Sequence, residues 1–493
     1  MDQARRREWY CSVAIVASAV LYRPLTFWAN NAWDLLSPMG ILSTVGLEFV
    51  LCMVALFLLA ALPGVRPLLA ALALGWLILI VFNWGDLSLA GFLTLSGVTL
   101  ATFSASAFDR LSPGRATMVI LAFGLLAPLV TLVNAHVSNN TAYPLKSPAA
   151  LPLAEISDGS GDILLLVLDE YPMAEVAEAW FGHDMSPLLT LLQEAGFETP
   201  RVSWSHNTYT SVAVPAMLDL IQVVEPTSIG DWDHLKGNYE TIRGSSFTVQ
   251  ALKSAGFRQI HVESGWNGDE CGAPDECLPN SWLGEATWLL LQPSLFHPLI
   301  EHRFGSWMAE PSMTTVEHLL ETDALRNGTR DFVYAHLMLP HTPEVVDEEC
   351  KVLHPRDRQP QPDGIAPQLA CVDSLIAQVL ETVPSDTTVV ITGDHGTATR
   401  GQQYRNSSAW DDADIAERLG SFLAYRLPDD CPGPELPTNV SVMRSVVGCT
   451  TGAALPSEAR GFVLGLGNPT EVPLQRLVDI EAKLRDGALG FGS

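Results

Sequence analysis

Two apolar runs in this chain end abruptly in acids, and acids so placed can hold a cation or move a proton. The first is Ile163-Leu164-Leu165-Leu166-Val167-Leu168, followed at once by Asp169-Glu170 and then by Tyr171-Pro172. The second, Thr387 to Ile391, ends in Thr392-Gly393-Asp394-His395-Gly396. Apolar runs without alternation suit strands buried on both faces, the habit of parallel sheets. Ligands of such sheets bind just beyond the carboxyl ends of the strands. Acids at one strand end could equally cap a surface turn; two such ends at one edge of a sheet favour a shared site. A carboxylate and an imidazole from adjacent residues can both reach one cation when glycines on either side let the backbone turn tightly.

Other groups could complete that chemistry. Trp204 to Leu218 reads WSHNTYTSVAVPAML, a hydroxyl-rich loop running into an apolar helix. Taken alone, this is an ordinary Ser/Thr N-cap. Beside a cation, a hydroxyl at a helix N-terminus becomes a nucleophile. The cation lowers its pKa and the helix amides hold an anionic substrate. A third apolar run, Phe332 to Leu337, leads into Pro340-His341-Thr342-Pro343. His341 lies beyond the strand end, framed by prolines that fix the loop, and is the functional candidate. His336, inside the run, is expected to be buried and satisfied. Arg400 either neutralises a substrate phosphate or is simply solvated.

Alternating helices must position these strands. Ser186-Pro187 reads as an N-cap followed by proline at the first helical position, and Gly196 stands where a C′ glycine belongs. A helix over Pro187 to Ala195 follows, and a second over Phe247 to Ser254 is closed by Gly256. Arg258 to Glu263 resembles a strand. Ala366 to Thr382 carries Leu369, Val372, Leu375, Ile376, Val379 and Leu380 at helical spacing. Such alternation means βα units around a largely parallel sheet. The C-terminal Leu474 to Leu484 segment reads as an amphipathic helix without evident chemistry.

Charge and apolarity are segregated along the chain. It is 48% hydrophobic, yet its formal charge is −27. The first 140 residues hold seven basic and six acidic residues, so 21 of the 28 basic and 49 of the 55 acidic residues lie beyond them. An acidic globular part excludes nucleic acid as a partner, because phosphate backbones call for basic patches. Met39 to Leu62, Pro67 to Phe82, Leu87 to about Ala105 and Thr117 to about Ala135 are apolar runs of spanning or near-spanning length, and Cys11 to Ala29 is a weaker fifth. With Arg5-Arg6-Arg7 inside, five spans also keep Arg66, Arg110 and Arg115 inside and put everything after residue 140 outside. Six of the eight cysteines lie in the acidic part, enough for three disulfides in an oxidising compartment, with Cys271 and Cys277 as the local pair. The expected organisation is a multi-pass membrane domain over 1–136, a Ser/Asn/Pro/Gly-rich linker over 137–160, an extracytoplasmic catalytic domain over 161–470, and a C-terminal helix and tail over 471–493.

Residues 160 to about 430 resemble the alkaline phosphatase and sulfatase superfamily. The resemblance rests on the strand ending in Asp169-Glu170, the Ser186-Pro187 helix leading to a hydroxyl loop, Pro340-His341-Thr342-Pro343, and Gly393-Asp394-His395-Gly396, in that order and spacing. Several membrane spans ahead of such a domain resemble the lipoteichoic acid synthases and phosphoethanolamine transferases, in which a threonine receives a phosphoryl group from a lipid donor. The resemblance implies an α/β fold with a mostly parallel sheet flanked by helices. It implies Asp169, Asp394 and His395 as metal ligands, Thr208 as both nucleophile and metal-facing oxygen, and His341 as a group serving the transferred or leaving group. Thr208 is preferred to Thr210 because Thr-x-Thr before Val-x-Val-Pro-x-Met resembles the transferase loop with its first threonine reactive. Glu170 aligns with a second acidic ligand of sulfatases, and its role stays open.

Departures from the pattern narrow the reaction. The Thr208 loop has neither the Cys or Ser that becomes formylglycine nor the accompanying arginine, which disfavours sulfate-ester hydrolysis by that route. No histidine follows His395, which favours a single metal, and three oxygens with one imidazole suit zinc or manganese. The expected function is metal-dependent phosphotransfer or phosphodiester cleavage on a phospholipid-derived or envelope-glycan substrate through a covalent phospho-threonine, in a protein of the cell membrane. The alternatives are a hydrolase of small phosphate or sulfate esters and a non-catalytic sulfatase-like membrane protein that binds an envelope ligand.

Overall fold

The structure, a computed structural model, describes residues 161–220, 237–280, 284–291, 301, 306–453, 455, 461–465 and 470–490. The expected membrane spans and linker lie outside these residues; among the described residues, no helix is long and apolar enough to cross a membrane. The chain divides into two compact units, Met1–Ala142 with Leu289–Ser294, and Tyr143–Trp288 with Leu295–Ser493. The fold below belongs to the second.

Its chain order is β1 (Ile163–Leu168), α1 (Ala174–Phe181), α2 (Ser186–Glu194), α3 (Thr210–Leu218), α4 (Phe247–Ser254), β2 (Arg258–Val262), β3 (Glu276–Leu278), α5 (Glu285–Leu291), α6 (Ala309–Glu321), β4 (Asp331–Leu337), α7 (Ile365–Thr382), β5 (Thr388–Gly393), α8 (Asp412–Leu419), β6 (Leu423–Arg426), α9 (Asn439–Thr451), β7 (Phe462–Leu464), β8 (Thr470–Val472) and α10 (Leu474–Arg485). α5 runs from this unit into Leu289–Ser294 of the other. Six strands form one sheet in the order β3-β2-β4-β1-β5-β6, and β7 and β8 form a separate antiparallel pair. All neighbours in the large sheet run parallel except β5 and β6. The mostly parallel α/β architecture expected from the apolar runs is present.

β1 is central because its six residues are all buried. Register places Leu168 beside Leu337 of β4 and Gly393 of β5, so the three strands end together. That shared end puts Asp169, the Pro340-His341 loop and Asp394-His395 at one edge. Helical periodicity is also realised: Leu369, Val372, Leu375, Ile376 and Val379 of α7 are buried against the sheet. α2 starts one residue earlier than expected. Its N-cap is Met185, Ser186 is already helical, and the Ser186 amide is satisfied by Asp184 Oδ1 at 2.9 Å instead. Gly196 and Gly256 have φ of +83° and +86°, the left-handed conformation that closes a helix.

Three disulfides join Cys271 to Cys277, Cys350 to Cys371 and Cys431 to Cys449. The second ties the loop beyond β4 to α7, and the third ties the loop after β6 to α9. The second therefore braces a segment that leaves the site edge of the sheet, whereas β6 runs antiparallel and ends at the opposite edge.

A buried histidine couples this packing to pH. His206 is 1% exposed, stacks on Phe462 at 4.5 Å, and is held by Gly461 O at 2.7 Å and Thr438 Oγ1 at 3.1 Å. Burial pushes its pKa down from 6.5 to about 4, although the Gly461 carbonyl opposes the shift. A histidine whose folded pKa is depressed contributes stability that is present above pH 6.5 and is lost as pH falls through the folded value. The loss is on the order of 3 kcal/mol. The unfolding free-energy difference between wild type and His206→Asn should therefore shrink as pH falls from 7 to 4.5 in denaturant titrations. A difference independent of pH would show that the imidazole is not held neutral.

A candidate metal centre at the strand ends

Each group at this edge is positioned by an element end. The Asp169 amide donates to Leu337 O at 2.9 Å and the Asp394 amide to Leu168 O at 3.2 Å, so both acids extend the sheet by one residue. Asp394 Oδ1 is fixed by the amides of Glu170 (3.0 Å) and His395 (2.7 Å). His395 Nδ1 lies 3.1 Å from Gly396 O, which directs Nε2 to Asp394 Oδ2 (3.1 Å) and Thr210 Oγ1 (3.2 Å). Donation from Nδ1 leaves the Nε2 lone pair as the ligand atom.

The flanking glycines serve by size and not by handedness. Neither Gly393 nor Gly396 has a positive φ. A Cβ on Gly393 would lie 2.5 Å from Tyr171 O, and one on Gly396 would lie 1.9 Å from Glu417 O. Close approach of α8 to the Asp394-His395 turn therefore requires the absence of a side chain. Behind that turn, Glu417 accepts from Thr397 Oγ1 at 2.9 Å and from the Thr399 amide at 2.7 Å.

Asp169, Asp394 and His395 are all buried, and one ligand atom from each lies within 4.8 Å of the others. Asp169 Oδ1 and Asp394 Oδ2 have no hydrogen-bond partner although no solvent reaches them. Burial and then the neighbouring Glu170 charge push the Asp169 carboxyl well above its ordinary range; burial and then Asp169 do the same to Asp394. Burial, with the nearby Arg418 charge, holds His395 well below 6.5. Two desolvated carboxylates with unpartnered oxygens, beside an imidazole kept neutral, are what a divalent cation requires and what its absence penalises. The donor set fits a single metal ion.

The threonines fall in the opposite order to that expected. Thr210 is the first residue of α3; its hydroxyl lies beside both carboxylates and faces His395 Nε2 at 3.2 Å. Thr208 is buried and its Oγ1 accepts from the Gly465 amide at 3.0 Å. The physical reason is strand pairing: His206 O accepts from the Val463 amide and Asn207 bridges Val463 in parallel, so 206–208 runs alongside β7. The chain reaches the carboxylates only where α3 begins. Inside that helix, Pro215 has no amide for the Ser211 carbonyl, and Asn238 Nδ2 donates to that carbonyl instead at 2.8 Å.

His341 stands at the mouth with its side chain 34% exposed, Nε2 lying 3.9 Å from Glu170 Oε1 and Nδ1 2.5 Å from Thr342 O. His336 is buried, as expected, but it is not satisfied. Neither ring nitrogen has a hydrogen-bond partner among the described residues, and Asp269 Oδ2 lies 4.0 Å from Nδ1. Arg400 is neither solvated nor at the site: it binds Asp411 and Asp414, each at 3.0 Å, at the capping box of α8.

One cation at the site was missed. Arg418 of α8 is 5% exposed, lies 2.5 Å from Glu170 Oε1, and its guanidinium sits 5.5 Å from the centre of the Tyr209 ring. Its only sequence signal is a Glu417-Arg418 pair between the apolar residues Ile415, Ala416 and Leu419, charges placed where a helix packs inward. Burial alone would raise the Glu170 carboxyl, but His341 and Arg418 hold it below its ordinary value.

A family model described as Sulfatase matches residues 163–417, just over half of the chain. No curated protein matches it in sequence. Among solved structures it is similar to the integral membrane protein lipooligosaccharide phosphoethanolamine transferase A from Neisseria meningitidis, at 14% identity over 89% of this chain and 95% of that one, with a TM-score of 0.40. It is also similar to the C-terminal periplasmic domain of EcEptC from Escherichia coli (10% identity, 65% and 96% covered, TM-score 0.40). A third is a protein in the alkaline phosphatase superfamily from Vibrio parahaemolyticus (12%, 72% and 95%, TM-score 0.41).

Proposed function

Because the chain belongs to the sulfatase family, we propose that it is a metal-dependent phosphotransferase or phosphodiesterase that works through a covalent phospho-threonine at Thr210. The supporting observation is the Thr210 hydroxyl itself, at a helix start, 3.2 Å from His395 Nε2 and beside the Asp169 and Asp394 carboxylates. Formylglycine chemistry needs a cysteine or serine there. A zinc or manganese ion held by Asp169, Asp394 and His395 would supply Lewis acidity at the phosphoryl oxygens and lower the hydroxyl pKa.

The chain's own groups then divide the work. Thr210 Oγ1 forms a bond to phosphorus as the bond from phosphorus to the leaving oxygen breaks. The proton lost by Thr210 is recovered overall by that leaving oxygen, with His341 as the donor at the mouth. The first amides of α3 face the anionic group. An acceptor hydroxyl or water attacks the same phosphorus and returns the proton to Thr210. The substrate class is a phospholipid-derived or envelope-glycan phosphodiester, supported by the apolar front segment, which we read as a multi-pass anchor in the cell membrane with the site outside.

Brief incubation of the full-length protein with phosphatidylethanolamine vesicles, acid quench and peptide mass mapping is expected to place a phosphoryl-group adduct on Thr210. An adduct on another residue, with Thr210 unmodified, would overturn the assignment.

A further inference from the structure

Glu170 follows a metal-ligand candidate directly, yet its carboxylate is not grouped with those of Asp169 and Asp394. It is committed elsewhere. Arg418 Nη1 lies 2.5 Å from Glu170 Oε1 and 2.7 Å from Gly396 O, and the Thr342 amide lies 3.4 Å from Oε2. Both side chains are nearly dry, at 6% and 4% exposure. The backbone at Glu170 has φ of +62°, left-handed and rarely adopted by residues with a side chain, while its amide is held by Asp394 Oδ1 at 3.0 Å. The turn therefore sends one acid to the cation site and the next to α8.

We propose that Arg418 is a metal-selectivity residue: it withholds the Glu170 carboxylate from the cation and leaves a set of two carboxylates, one imidazole and the Thr210 hydroxyl. This rests on the metal-centre reading above. A third carboxylate would add charge and an oxygen donor, which favours harder cations of higher coordination number. One nitrogen with few oxygens favours zinc. Arg418 thus sets the coordination number from outside the ligand shell, by offering Glu170 a buried counter-ion that needs no exchange with solvent.

The test is cation binding by the full-length protein in detergent after chelator treatment. Isothermal titration with Zn²⁺ and Mn²⁺ is run on wild type, Glu170→Gln, Arg418→Met and the double variant, with circular dichroism confirming the fold of each. Glu170→Gln removes a negative charge and is expected to weaken Zn²⁺ and Mn²⁺ by the same factor, keeping their affinity ratio within about threefold of wild type. Arg418→Met is expected to tighten Mn²⁺ at least about tenfold more than Zn²⁺, a difference that the double variant abolishes; simple loss of a positive charge would tighten both equally. With Co²⁺ as probe, the intense visible bands of a four-coordinate ion in wild type should weaken in Arg418→Met. A loss in Glu170→Gln at least about tenfold larger for Mn²⁺ than for Zn²⁺ would show that Glu170 already binds the cation and would overturn the proposal alone; this arm decides the matter if Arg418→Met does not fold. Equal tightening of both metals in Arg418→Met would likewise overturn it. Wild-type protein that binds neither metal would overturn the metal-centre reading and this proposal with it.

Discussion

Thr210→Ala is expected to lower turnover by roughly 10⁴-fold or more, the scale seen when a covalent nucleophile is removed. The hydroxyl sits where the three strand ends meet the start of α3, beside Asp169 and Asp394 and 3.2 Å from His395. Thr208 is not placed to replace it, since it is engaged with the Gly465 amide. Thr208→Ala should behave differently. It leaves the half-buried Gly465 amide without its acceptor, which costs about 1 kcal/mol of stability, and it should change kcat less than about tenfold. Thr210→Ser, which keeps the hydroxyl, should restore a measurable part of the activity. Steady-state kinetics on a chromogenic phosphodiester, with thermal melts of each variant, separate the two threonines. Full activity in a folded Thr210→Ala protein would remove Thr210 from the mechanism.

Asp394→Asn carries the second large effect, and its sign depends on whether the cation is present. With a metal at a thousandfold excess over its dissociation constant, the wild type gains about 4 kcal/mol from binding. The variant should lose that gain together with turnover, because Asp394 Oδ2 is one of the two unpartnered carboxylate oxygens. Without metal the order changes. The Asp169 and Asp394 carboxyls are raised well above 3.8, by burial first and then by neighbouring carboxylates. A raised carboxyl contributes stability that is present below the unfolded value and is lost as pH rises through the folded one. The metal-free wild type is therefore penalised from about pH 4 upward, and the asparagine variant relieves part of that penalty. Melts with and without chelator at pH 5 and 8 should show a metal-induced shift that grows with pH in the wild type and is absent in Asp394→Asn. Unchanged metal affinity in the variant would exclude Asp394 as a ligand.

The place of these acids was legible because each directly follows a buried strand. The runs before Asp169 and Asp394 are long enough and apolar enough to be central strands, and parallel register forces their ends to one edge. His341 was legible for a related reason, since β4 ends beside β1. The choice between Thr208 and Thr210 was not. A helix start carries an uncertainty of one or two residues, and here the start of α3 decides which hydroxyl meets the carboxylates. The pairing of 206–208 with β7, more than 250 residues away, commits Thr208 to the Gly465 amide and leaves no local mark. Arg418 was hidden in the same way. Its partner Glu170 is distant in sequence, and a buried ion pair has no periodicity. His336 was read correctly as buried, but whether a buried imidazole is satisfied depends on three-dimensional neighbours alone.

The substitution of Asn238 for a helix rung has a consequence for motion. In a continuous helix the carbonyl of the second residue is bound by backbone that cannot let go without unwinding the turn. In α3 that carbonyl is held by a side chain, which can release by a rotamer change alone. The turn bearing Thr210 is thereby partly uncoupled from the body of α3. It can yield while Val214 to Leu218 stay buried.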